Sequence, residues 1–433
     1  QSIENYRPIS ILSSLSKVLE RLIYNRVFDF LNNHNIITGS QYGFRKKYST
    51  YMPLIHLLSK IHSALDSGDS VIGLFLDLSK AFDTVDHAIL LKKLYRYGLR
   101  GVMYDWFKDY LSNRIQCVEL GNIYSVTKNI VCGVPQGSIL GPLLFLLYIN
   151  DLPLQSSLST IMFADDSNLF LQGSNIDDMK NTLNCQLEKI VHWFNVNKLS
   201  LNISKTHCML FTRKRSIVNS PTIVMNNTVI NFVHETKFLG VILSSNLRWD
   251  KHITNISNKI SKNTGILRKL KFKIPKESLL TLYNAFIYPY LYYCNIIWGH
   301  SAQCHLAKLL KIQKRAVRLI LNKSPREHTA PLFDSLNILT IYQISIYCKC
   351  IFMFQLYTRQ LPPIFNHLFS FRHNVHNHET RATNYYNLPR CRSEFSRKFL
   401  TYSGPFFFNQ ILNHSDFADI LTLSLYKFKN RLH

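Results

Sequence analysis

The stretch Ile161-Met162-Phe163-Ala164-Asp165-Asp166-Ser167-Asn168-Leu169-Phe170 puts two adjacent carboxylates inside an otherwise apolar run. Burying charge is costly unless it is paired or coordinates a metal. An Asp pair between two short apolar strands therefore calls for a cation, and a divalent metal suits it. Upstream, Val71-Ile72-Gly73-Leu74-Phe75-Leu76 reads as a buried strand that ends in Asp77. Two strand-borne acidic sites on a basic chain point to two-metal phosphoryl transfer on nucleic acid. Taken singly, each acid has a plainer reading: Asp77 caps the next helix, and Asp165-Asp166 forms an Asx turn.

The chain has 433 residues, 46% of them apolar and 13% aromatic, which excludes a disordered protein and allows two or three domains. A net charge of +25 implies a polyanionic partner, nucleic acid before anionic membrane. The charge is uneven. Residues 1–243 hold 24 Lys and Arg against 18 Asp and Glu, and residues 244–433 hold 27 against 8. The acidic chemistry thus falls in the first half and most of the polyanion grip in the second. Nine cysteines without a CxxC pattern read as reduced intracellular thiols. Leu279 to Trp298 carries no charge, but its Asn284, Pro289 and Asn295 favour a buried helix pair over a membrane span. The chain opens at Gln1 in mid-pattern and reads as a fragment of a longer polyprotein.

Apolar spacing (Leu15, Val18, Leu19, Leu22, Ile23, Val27) predicts a helix over 13–32, and another is predicted over 52–66. After Ala81 the pattern is helical up to a Gly98 C-cap. Hairpins are expected around Gly121-Asn122 and Asn226-Asn227, with helices over 138–150 and 176–195. Basic helices follow over 251–272, 276–297 and 303–321; residues 360–405 read as loops, and some helix returns over 405–430. The order of elements in the first half fits an α+β sheet with helices on one face.

Seven segments occur together: Asn5-Tyr6-Arg7-Pro8-Ile9-Ser10, Ser40-Gln41-Tyr42-Gly43-Phe44-Arg45, Phe75-Leu76-Asp77-Leu78-Ser79-Lys80-Ala81-Phe82-Asp83, Gly133-Val134-Pro135-Gln136-Gly137-Ser138, Phe163-Ala164-Asp165-Asp166, Leu201-Asn202-Ile203-Ser204-Lys205-Thr206 and Phe238-Leu239-Gly240-Val241. In this order the chain resembles reverse transcriptases of non-LTR (LINE-type, jockey and CR1-like) retrotransposons over about residues 5–243. The resemblance implies a right-hand polymerase, with fingers and palm over 1–243, an α-helical thumb over 244–330, and a region of unassigned role over 331–433. It implies RNA-directed DNA synthesis that extends a DNA primer or nicked target DNA on an RNA template from dNTPs, with two Mg²⁺ ions (Mn²⁺ as a substitute). Nuclear action follows as a family expectation, and the basic run Arg213-Lys214-Arg215 would suit import.

Roles carry over by position. Asp77, Asp165 and Asp166 match the metal triad, with the Leu78 carbonyl as an extra ligand. Phe82 matches an aromatic gate that rejects a 2′-OH. Gln136 and Gly137 match the loop lining the nucleotide and template pocket. Arg45, with Lys46 and Lys47, matches the fingers segment that touches template or triphosphate. Lys205 matches a lysine that protonates the leaving pyrophosphate, and Arg7 matches an upstream template contact. Asp83 and Asp86 are expected on the helix as cap or surface residues. Plainer readings stand beside these: a core Phe82, a simple turn at Gln136, solvated basic loops at 45–47 and 205. Rivals for the whole are a decayed or domesticated copy that only binds nucleic acid, a maturase or telomerase-like enzyme, and a two-metal nuclease. Past residue 244, Lys262, Arg268, Lys269, Lys271 and Lys273 cluster, as do Lys308, Lys311, Lys314, Arg315 and Arg318, and the second set shares one helical face suited to phosphates. Cys348, Cys350, His367, His373, His376, His378 and Cys391 fit no zinc-knuckle spacing.

Overall fold

A computed structural model describes residues 9–214, 222–375, 385–417 and 419–432. Arg7 with the rest of 5–8, Arg215, His376 and His378 lie outside the described residues. The chain folds as two compact units, one formed by Gln1–Tyr48 with Asp69–Val233, the other by Ser49–Gly68 with His234–His433.

The first unit is built on a four-stranded antiparallel sheet in the order Ser159–Phe163, Asp166–Gly173, Ser70–Leu76, His207–Phe211. Every residue of Ser70–Leu76 is buried, which explains its unbroken apolar run. Alternate residues Ile72, Leu74 and Leu76 enter the main core, as strand geometry requires. The helix Leu140–Ile149 is buried on all sides and hydrophobic all round. Helix Ile176–Val196 contributes a single stripe of Met179, Leu183, Leu187, Ile190 and Phe194. Helix Ser14–Asn33 buries Val27, Phe28 and Leu31, while Leu15, Val18, Leu19 and Leu22 of the expected apolar face are exposed. The described part of the unit covers only the C-terminal half of that stripe.

Residues 81–86, expected as helix, are not helical. Gly133 N–H donates to the Val85 carbonyl (2.7 Å) and Val134 N–H to that of Phe82 (2.8 Å), so a distant loop takes the carbonyls a helix would use. The helix begins at His87, capped by Asp86, whose Oδ1 accepts from Ile89 N–H at 2.9 Å, and runs to Arg96. Gly98, at φ +92°, closes its C-terminal turn. Both expected hairpins form. At the second, Asn226 and Asn227 take φ of +49° and +58°, the left-handed pair a tight turn needs.

The second unit is mostly helical. The hairpin Glu235–Phe238/Val241–Ser244 leads into Asp250–Leu270, which packs on Gln303–Ile320. The stretch read as one helix over 276–297, and as a helix pair between Leu279 and Trp298, is three helices: Lys276–Phe286, Tyr288–Tyr292 and Asn295–Trp298. Pro289 supplies no N–H and disfavours helix before it, and Cys294 turns left-handed at φ +50°. Among the described residues no helix is long and apolar enough to cross a membrane. Ile341–Tyr357 starts with a Thr340/Gln343 capping box and is buried along most of its length. Helix Tyr51–Ser67, early in sequence, belongs to this unit: Tyr51 meets Phe352 edge-on and His62 stacks on Phe399 at 4.2 Å. The described part of 360–405, expected as loops, holds short turns, the helix Glu394–Lys398 and the start of Leu400–Leu412, and Leu425–Leu432 supplies the last helix.

Candidate active site

The acids gather at one end of the sheet. The hairpin pairs Phe163 with Asp166, so Ala164 and Asp165 form its tip. The neighbouring ladder ends at Leu76 opposite Ser167, and one further step in the same register brings Asp77 beside Asp166. Asp77 and Asp165 are half-buried and Asp166 is exposed. Among the described residues no cation forms an ion pair with Asp77 or Asp165.

The 201–206 loop braces Asp77 from the other side. Asn202 N–H donates to the Asp77 carbonyl (2.8 Å), Ser79 N–H to Ser200 (2.9 Å), and Asp77 N–H to Thr206 Oγ1 (3.3 Å). The flanking bonds enclose an antiparallel bridge between Leu78 and Leu201, so Leu78's own N–H and C=O point away from Leu201. Lys205 is exposed on this loop.

The 40–45 segment fastens to the acid hairpin. Met162 N–H donates to the Ser40 carbonyl (2.8 Å), and Tyr42 N–H donates to that of Met162 (2.9 Å). The buried Gln41 Oε1 accepts from both Gly43 N–H (2.8 Å) and Ala164 N–H (3.1 Å), tying the two turns to one oxygen. Arg45 is turned inward: its Nη1 donates to the Thr38 and Gln41 carbonyls at 3.0 and 3.1 Å, and its guanidinium lies 4.3 Å over the Tyr48 ring. Burial lowers its pKa from the usual value. Lys46 and Lys47 are exposed beside it.

The 133–137 loop closes the arrangement. A Cβ on Gly133 would lie 2.7 Å from the Asp83 carbonyl oxygen, and Gly137 sits at φ +107° against Ser10. Gln136 Nε2 donates to Asp83 Oδ1 at 2.8 Å. Asp83 is therefore an acceptor for the loop, not the helix-surface residue expected, while Asp86 is the expected cap and pairs with Lys198 at 2.7 Å. Phe82 is half-buried, stacked on Phe145 (4.4 Å, 29°) and edge-on to Phe44 (6.3 Å).

Two contributors carry no sequence signal for their roles. Gln41 lies within the 40–45 segment, where nothing in its neighbours marks it as the shared acceptor. Glu20, 1% exposed, accepts from the N–H groups of Ile139 (2.7 Å) and Leu140 (3.4 Å) with one oxygen, and from the Tyr110 hydroxyl (2.9 Å) with the other. It thereby caps the buried helix that follows the 133–137 loop. An isolated acid on an amphipathic helix gives no sequence signal for such a partner 119 residues away.

Among the described residues no three or more His, Cys, Asp or Glu side chains converge as a ready-made metal cage. The donor set nonetheless suits a hard divalent ion. Two half-buried carboxylates at adjoining strand ends, with no ion-paired cation among the described residues, leave like charges that such an ion would relieve. Mg²⁺ takes few carboxylates and completes its shell with water and phosphate. Cys348 and Cys350 are buried in Ile341–Tyr357 with their thiol pKa values pushed up to about 12, which disfavours the thiolate a zinc site needs.

In the second unit Lys262, Arg268 and Lys269 are exposed on Asp250–Leu270, and Lys308, Lys311 and Arg315 on Gln303–Ile320, whereas Arg318 is engaged by the Glu327 carbonyl. At the tip of the 235–244 hairpin the Tyr293 hydroxyl donates to the Leu239 carbonyl (2.8 Å).

A mixed helical and antiparallel-sheet fold with acids clustered at one sheet end is the right-hand polymerase class. The reverse transcriptase (RNA-dependent DNA polymerase) family matches residues 1–243, more than half of the chain, and the chain belongs to that family. It is 31% identical over 349 residues to the probable RNA-directed DNA polymerase from transposon X-element of Drosophila melanogaster, covering 78% of this chain and 38% of that protein. It is 30% identical over 330 residues to the RNA-directed DNA polymerase from mobile element jockey of Drosophila funebris, covering 73% of this chain and 36% of that protein. The chain thus spans under two-fifths of these relatives' length. Among solved structures, a telomerase from Candida albicans in complex with a fragment of telomeric RNA overlays at TM-score 0.39 and 13% identity, over 75% of this chain and 59% of that one.

Proposed function

We propose that the chain catalyses RNA-directed DNA synthesis, extending a DNA primer or nicked target DNA on an RNA template with dNTPs, as a non-LTR retrotransposon enzyme. The observation that carries the proposal is the meeting of Asp77, Asp165 and Asp166 at adjoining strand ends. Asp77, Asp165 and Asp166, with the outward Leu78 carbonyl, would hold two Mg²⁺ ions, or Mn²⁺. Bound there, divalent ions lower the pKa of the primer 3′-OH and neutralise triphosphate charge. The chain's own part is positioning: the Gln41 oxygen and the 201–206 loop fix the acids from two sides. Phe82 would sit under the sugar. Gln136 and Gly137 would face nucleotide and template. Lys47 would meet triphosphate or template, and Lys205 would give a proton to pyrophosphate. Arg45 would act through the loop it clamps. Residues 1–243 would form fingers and palm, 244–330 the thumb, with 331–433 still without a role. Action in the nucleus is part of the same proposal.

Primer extension on poly(rA)/oligo(dT) with dTTP and Mg²⁺ tests this beside Asp165→Asn. Extension by the wild type and a loss of at least about 10²-fold in the variant is expected. Equal rates would overturn the site. Primer shortening in place of lengthening would favour the nuclease reading.

A further inference from the structure

The second unit contains a cavity of about 550 Å³ that the polymerase proposal leaves unused. Its wall carries Lys349, Arg397, Lys398 and His300, and no Asp or Glu lines it. Lys349, on Ile341–Tyr357, is only 5% exposed. Among the described residues its amine has no hydrogen bond or ion pair, and it lies 5.6 Å from the centre of the Phe407 ring. Lys398 is shared with Glu394 at 2.6 Å. His300 contributes no charge, because burial and the nearby Lys349 push its pKa well below the usual value.

A buried ammonium among other cations is a costly arrangement without an anion to meet it. The remaining wall is aromatic, with Tyr342, Tyr402 and Phe406 beside the cations, and Phe406 is 40% exposed. One buried cation, Lys349, with the exposed Arg397 and Lys398 at the mouth and exposed rings beside them, suits a phosphate below and a base stacked above. The volume suits a small-ligand site. A nucleoside phosphate could come free or as part of a strand. The exposed Phe406 ring and the excess of 27 cations over 8 acids in residues 244–433 favour the strand.

We propose that this cavity binds one nucleotide of single-stranded nucleic acid, its phosphate on Lys349 and Arg397 and its base against Tyr402 or Phe406. The site lies in the second unit and does not depend on the palm acids.

The test is photocrosslinking of the full chain to a 12-nucleotide RNA carrying one 5-iodouridine, mapped by peptide mass spectrometry. A crosslink to Tyr402 or Phe406 is expected. It should fall at least about 5-fold in Lys349→Met and hold in Lys349→Arg, since the ligand is met by charge. A urea midpoint for Lys349→Met no lower than wild type separates lost binding from lost folding. Three results would overturn the proposal. One is RNA labelling elsewhere on the chain but never on this wall. Another is loss of the crosslink to AMP or inorganic phosphate at 100-fold lower phosphate concentration than the RNA, which marks a free-nucleotide site. The third is competition by poly-glutamate as strong as by unlabelled RNA of equal charge, which marks a site for acidic protein.

Discussion

A Cβ placed on Gly43 would lie 2.3 Å from the amide nitrogen of Ala164, the residue before Asp165. The 40–45 segment and the acid turn are in backbone contact, and only a residue without a side chain permits it. Gly43→Ala must therefore push the turn and move Asp165. Displacements of this size near reacting groups cost up to about 10²-fold in rate. A drop in kcat for primer extension of at least about 10-fold is expected. Unchanged kcat would show that Asp165 is not held in place by this contact.

Glu20 supports the 133–137 loop by capping the helix behind it. Glu20→Ala leaves two buried N–H groups and the Tyr110 hydroxyl without their acceptor. A loss of about 1.5–3 kcal/mol is expected. It should appear as a lower urea midpoint at unchanged m, with Glu20→Gln recovering part.

Phe82→Val tests the gate. Its stack on Phe145 fixes the ring, so removal opens space and costs a modest amount of packing. The preference for dTTP over UTP, as a ratio of kcat/KM, should fall at least about 10-fold. Phe82→Tyr should keep it. A ratio unmoved by Phe82→Val would leave Phe82 as a packing residue.

His252 lies in the second unit with its pKa pushed down to about 4 by burial first and by Lys259 second. Its Nδ1 accepts from Ile242 N–H at 3.2 Å, a bond that needs the neutral ring. The unfolded ring takes a proton near pH 6.5, so the unfolded state binds more protons between pH 6.5 and 4. Stability from this group is full above pH 6.5 and lost as pH falls through that window. His252→Asn should show a shallower fall in urea midpoint from pH 7 to pH 5.

Lys349 acts with the opposite meaning for neutral pH. Burial lowers its pKa to about 8 from 10.5, so the folded state carries the full penalty below pH 8 and is relieved as pH rises toward 10.5. Lys349→Met should be more stable than wild type at pH 7, on the order of 2 kcal/mol, and should lack the gain between pH 8 and 10.5. A destabilised variant would mean the ammonium has a partner in the fold.

What could be read from sequence was local. The apolar run ending in Asp77 and the Asn226-Asn227 turn are set by neighbours in the chain, and the structure has them where the pattern puts them; the turn expected at Asp165-Asp166 lies one residue earlier, at Ala164-Asp165, with Asp166 already paired to Phe163. Long-range partners were not legible. Nothing near Gln41 announces Ala164, and nothing near Glu20 announces Ile139. Residues 81–86 looked helical because apolar spacing does not reveal that Gly133 and Val134 take the carbonyls first. The break after Phe286 has a visible cause in Pro289, but no residue type announces the second break at Cys294. Lys349 lies in a Cys-Lys-Cys triplet that carries no signal of its burial, and only the fold reveals it.

Helix Tyr51–Ser67 has a consequence for how such genes can be recombined. It is encoded between two pieces of the first unit, yet it buries Leu54, Ile55, Leu58 and Ile61 within the second. A crossover near residue 243 that joined halves from two relatives would pair this helix with a foreign bed of side chains. Exchange of a whole unit requires 49–68 to travel with 234–433 while 1–48 travels with 69–233, and a single cut in a linear gene cannot do both. The two units are thus bound to a shared inheritance by one helix of 17 residues.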